Sequence, residues 1–81
     1  MLTTDEFDTQ IRNLSRAIED AGSPSLAARL MDAWQYGGTG LECFFAAAWV
    51  LESLKPSDVP VSLYRAAQQL RKRLDQASGR R

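Results

Sequence analysis

Apolar residues fall along the chain in four stretches, and three of these keep the three-and-four spacing of a single helical face. In the first, Phe7, Ile11, Leu14 and Ile18 recur behind Thr3 and Glu6, which stand in capping-box spacing, and Gly22 closes the run. Between them Asp8, Arg12, Arg16, Glu19 and Asp20 alternate in sign, the pattern of a solvated ion ladder. Ser23 and Pro24 open the second stretch as N-cap and first-turn proline. Its face is Leu26, Leu30, Ala33 and Trp34, and Gly37 with Gly38 stops it. The fourth follows the linker "KPSDVP" and carries Leu63, Ala66, Ala67, Leu70 and Leu74, with Arg65, Gln68, Lys72 and Asp75 opposite. Thr39 and Glu42 repeat the capping-box spacing before the third. The pattern predicts helices over residues 4–21, 24–36, 40–55 and 60–76, no strand, and a disordered tail at 78–81. Short connections between amphipathic helices favour antiparallel neighbours, so the expected fold is all-α, a compact four-helix bundle or orthogonal helical array in one domain, 1–81.

The third stretch breaks the pattern. Nine apolar residues, Cys43 to Leu51, stand uninterrupted between Glu42 and Glu52. On a helical wheel Phe44, Phe45, Ala48, Trp49 and Leu51 share one arc, while Cys43, Val50 and Leu54 form a second strip facing away from it. Only the sector around Glu42, Ala46 and Ser53 is polar. Two readings stand. A helix apolar all round is buried among its neighbours, or the strip of Cys43, Val50 and Leu54 is an exposed patch for a partner or a second copy. Glu52 falls inside the main apolar arc and needs water or a cation such as Arg29 or Arg65. Phe45, Leu70 and both tryptophans are assigned to the core, which leaves Tyr36 as the best exposed aromatic.

Composition narrows the chemistry. At 44% hydrophobic and 25% charged residues the chain belongs with folding domains. It contains no histidine, so the commonest general base and the commonest metal ligand are missing. Cys43, the only cysteine, lies in an apolar run that disfavours a thiolate, and a lone cysteine fits a reducing compartment, the cytoplasm. The acids of the first stretch fit no calcium-loop spacing. "GGTG" follows a helix, where a phosphate-binding glycine loop follows a strand. The expectation is a protein that is not an enzyme and has no cofactor and no metal. The apolar run is half the length of a membrane span, so no membrane association is expected either.

Charge is balanced but polarised: residues 1–42 hold seven acids and three bases, residues 43–81 three acids and seven bases. Arg65, Arg71, Lys72 and Arg73 supply the alternative reading, a nucleic-acid-associated or regulatory protein using its basic last helix. The third helix offers no base-reading side chain, which argues against a helix-turn-helix reader. The segment "TGLECFFAAAWVLESL", after a glycine pair and before a proline-bounded last helix, resembles small bacterial all-helical proteins of the immunity or inhibitor type. The resemblance covers that helix and the turn leading into it. It implies neutralisation of another protein by occupying its surface, and the second apolar strip leaves a homodimer open beside it. Tyr36, Cys43, Val50 and Leu54 are the candidate contacts, with Asp8, Arg12 and Glu19 on the first helix as a second surface.

Overall fold

A computed structural model describes residues 3–36 and 42–79. The chain forms α1 (Thr4–Asp20), α2 (Pro24–Tyr36), α3 (Glu42–Glu52) and α4 (Val61–Ala77), with no strand among the described residues. Each helix packs against its neighbours in sequence, and α1 meets α4 to close the ring. The fold is the expected all-α assembly of four helices.

Local chemistry sets the helix ends. Glu6 donates its backbone N–H to the Thr3 hydroxyl at 3.2 Å, and the Glu6 carboxylate accepts from the Thr3 backbone at 3.4 Å. This capping box satisfies two amides that the first turn would otherwise leave unpaired, and the loss of such a cap costs about 1 kcal/mol. At the other end Gly22 takes φ 96°, a left-handed geometry open to glycine, and lets Ser23 N–H reach back to the Ile18 carbonyl at 3.1 Å. The Ser23 hydroxyl donates to the Asp58 carbonyl at 3.2 Å, so it ties the α1–α2 turn to the α3–α4 connection. That connection is itself built. Asp58 accepts from the Lys55 backbone at 3.0 Å and donates its own N–H to the Lys55 carbonyl at 3.0 Å, while Val59 is buried.

α3 is shorter than the predicted 40–55. It ends at Glu52, and Ser53 and Leu54 continue only as a turn, bonded to the Trp49 and Leu51 carbonyls. Gln68 of α4 takes up the Leu51 carbonyl at 3.3 Å, so the neighbouring helix supplies a partner at this end. Residues 40 and 41, and the Thr39 of the expected second capping box, lie outside the described residues. Of the predicted tail, Ser78 is buried and its N–H bonds the Leu74 carbonyl. Residues 80 and 81 lie outside the described residues.

The stripe of α1 is buried as predicted, together with Leu30 and Trp34 of α2 and Ala67, Leu70 and Leu74 of α4. Phe44 stands at the centre of an aromatic cluster. Its ring is 5.4 Å from Trp34, stacked at 23°, and 5.1 Å from Phe7, tilted at 55°. Small residues bring α1 and α2 close, where the buried Ser15 hydroxyl donates to the Ala27 carbonyl at 2.9 Å.

The orientation of α3 corrects the sequence reading twice. Its buried arc is Phe44, Ala47, Ala48, Val50 and Leu51, joined by Leu54 beyond the helix end. Val50 and Leu54, offered as a partner surface, are therefore core. Phe45 and Trp49, assigned to the core, are 38% and 63% exposed. The reason is that α3 lies close along two helices, α2 and α4, and reaches α1 through side chains such as Phe44 against Phe7. A helix so supported must turn some apolar residues outward, and the fully buried Ala47 and Ala48 mark the side on which its neighbours come close.

Candidate functional site

The outward face of α3 is Glu42, Phe45, Trp49 and Glu52, spaced three, four and three residues apart and all exposed. This spacing stacks them in one line along a helix, with two aromatic rings in the middle and a carboxylate at each end. Among the described large apolar residues, only Tyr36 (80%), Val61 (62%), Trp49 and Phe45 are exposed. In a chain this small, where core material is scarce, a tryptophan and a phenylalanine turned to solvent one turn apart form the strongest candidate contact surface.

The register of α4 beside this face follows from two hydrogen bonds. Gln68 reaches Leu51 of α3, and Arg73 reaches Gln10 of α1 at 3.4 Å, so the two flanks of α4 are assigned. On the α2 side of α3, Val50 and Leu54 border a small void together with Ile18, Leu26 and Leu30. The opposite flank of α3, with Ala48, Phe45 and Glu52, therefore borders α4. Val61, Arg65 and Lys72 lie next to Gln68 around α4 and are exposed.

The other predicted site residues are dispersed. Tyr36 is exposed at the end of α2, and Cys43 is half-buried against the core, where desolvation pushes its thiol pKa up. On α1, Arg12 pairs with Asp8 at 2.8 Å, and the Trp34 indole N–H donates to the other Asp8 oxygen at 2.8 Å. Asp8 thus anchors a core tryptophan. Arg12 and Glu19 line a shallow α1–α2 groove of about 320 Å³ with Ser15, Arg16 and Met31. The basic residues of α4 also diverge. Arg71 is half-buried, bonded to Gln68 at 2.9 Å and to Asp75 at 3.0 Å, while Arg73 turns toward α1 and Arg65 and Lys72 stay exposed. They form no single cationic stripe.

The Asp8 interactions set a pH dependence. The Arg12 hydrogen bond, followed by that of Trp34, holds the Asp8 carboxyl below its ordinary pKa, against a smaller opposing desolvation. A depressed folded-state pKa gives stability that is present above the unfolded value, about 3.9, and is lost as pH falls through the folded one. Asp8→Asn is therefore expected to lower the urea midpoint at pH 7, with parent and variant converging as pH drops below about 4. An equal gap at pH 7 and pH 2.5 would show that the charge of Asp8 is irrelevant.

No helix among the described residues is long and apolar enough to cross a membrane. Compared with known proteins, the chain matches no family model, no curated protein and no solved structure.

Proposed function

We propose that this chain is a non-catalytic protein-binding module of the inhibitor or immunity type, which acts by covering another protein's surface with the outward face of α3. The observation that carries the reading is the exposed Phe45–Trp49 pair on a helix fixed from behind by Phe44, Ala47, Ala48 and Leu51. Aromatic side chains held on a rigid element bury large area at low entropic cost and commonly dominate interface energy. Carboxylates at the two ends of the pair would steer and orient the encounter. The proposal moves the contact surface from Cys43, Val50 and Leu54 to Phe45 and Trp49, with Tyr36 kept as an exposed aromatic outside that line.

The test is binding to the products of genes encoded beside this one, measured by calorimetry with the purified chain. Trp49→Ala should weaken the affinity at least tenfold, about 1.4 kcal/mol, while leaving the urea midpoint within error. Equal binding by parent and variant would move the interface away from α3. Binding lost in proportion to salt, and on Lys72→Ala instead, would favour the nucleic-acid alternative.

A further inference from the structure

The α3–α4 face separates its charges by helix. Glu42 and Glu52 are the only charged residues of α3, and both are exposed. On the flank of α4 beside α3 the exposed charges are Arg65 and Lys72, both positive, because Asp75 is half-buried against Arg71. An acidic helix edged with aromatics therefore lies beside a basic one whose first residue, Val61, is also an exposed apolar side chain. A surface that is acidic on one half and basic on the other is complementary to itself under one particular rotation.

We propose that, while no target protein is bound, the occupant of this face is a second copy of the chain, related by a two-fold axis running along the α3–α4 hairpin. This rests on the reading of the α3 face as a protein-binding surface. A two-fold axis lying across the hairpin would set α3 on its own counterpart and bring acids against acids. An axis along the hairpin sets α3 of one protomer on α4 of its partner. Levels along the axis are then preserved. The Gln68–Leu51 bond places Arg65 near the end of α3, at the height of Glu52, and Lys72 two turns of α4 further on, toward the Glu42 end. Glu52 thus meets Arg65 of the partner subunit, while Lys72 of the partner subunit, about 10 Å further along, comes level with the Phe45–Trp49 pair and short of Glu42, which stands about 15 Å from Glu52. Seventeen residues of α4 span about 25 Å and eleven of α3 about 16 Å, each helix about 10 Å wide, so the face is on the order of 400 Å² per copy. Two such faces reach roughly 800 Å², below the range of stable interfaces, which fits a weak, concentration-dependent dimer.

Sedimentation equilibrium up to roughly 100 μM should show the 9.0 kDa chain passing into a species of twice that mass. Trp49→Ala should remain a monomer with an unchanged helical spectrum. Glu52→Arg and Arg65→Glu should each be monomeric alone, because like charges then face one another across the axis. An equimolar mixture of the two should dimerise again, an outcome that an ion pair within one chain cannot produce. A monomeric parent at the highest concentration overturns the proposal, as does a mixture that stays monomeric beside a dimeric parent. Failure of the dimer alone leaves the neighbouring-gene binding assay to decide on the α3 face, whereas a dimer that persists in Trp49→Ala removes that face from both readings.

Discussion

Phe44→Ala should destabilise the protein by about 3–5 kcal/mol, whereas Phe45→Ala, one residue along, should cost about 1 kcal/mol. The two phenylalanines share a helix and a chemical identity and differ only in direction. Phe44 is buried between Trp34 and Phe7, and removing its ring empties the junction of α1, α2 and α3 at once. Trp34, the ring stacked on Phe44, is held by its hydrogen bond to Asp8, which opposes collapse into the gap. Phe45 leaves no enclosed cavity, because its ring is partly in water already. Urea denaturation of both variants reads the contrast. Equal midpoints would mean that α3 is rotated from the orientation described.

Val50→Glu should leave the chain unfolded. Val50 is 5% exposed and borders Leu26, Leu30 and Ile18, with no cation among them. Burial of an unpaired carboxylate costs several kcal/mol. A domain of this length has roughly 4–12 kcal/mol of stability in all. Far-ultraviolet circular dichroism of the variant should therefore lose its helical bands, while Trp49→Glu, on the outward face of the same helix, keeps them. A folded Val50→Glu protein would return the strip of Cys43, Val50 and Leu54 to the surface.

These substitutions also mark where the sequence stopped being informative. In α1 the alternation of Phe7, Ile11, Leu14 and Ile18 with charged residues leaves one way to face the core, and all four are buried. Thr3, Glu6 and Gly22 fixed its ends, since each answers a backbone need that few residues meet. α3 offers no such contrast. Its wheel is apolar nearly all round, so hydrophobicity alone cannot choose between the Phe44 and the Phe45 sides. One signal was present. Glu42 and Glu52 lie ten residues apart on the same face as Phe45 and Trp49, and two charges so placed mark the solvent side even when the residues between them are aromatic. The Asp8–Trp34 bond, the Ser23–Asp58 link and the cap of Gln68 on Leu51 join residues far apart in the chain, and no local spacing announces them.

The ring of helices has a kinetic corollary. Three of its four packed seams join consecutive helices, with described connections of three residues between α1 and α2 and eight between α3 and α4, and only the α1–α4 seam brings distant parts of the chain together. Closing short loops costs little entropy, and chains dominated by local contacts fold in about microseconds to milliseconds. The conformational search is thereby concentrated in one event, the return of α4 to α1, so Leu14 and Leu70, which line that seam, lie on the last surface to form. Substitutions there would act mainly on the rate of unfolding, because interactions made after the transition state do not slow the approach to it.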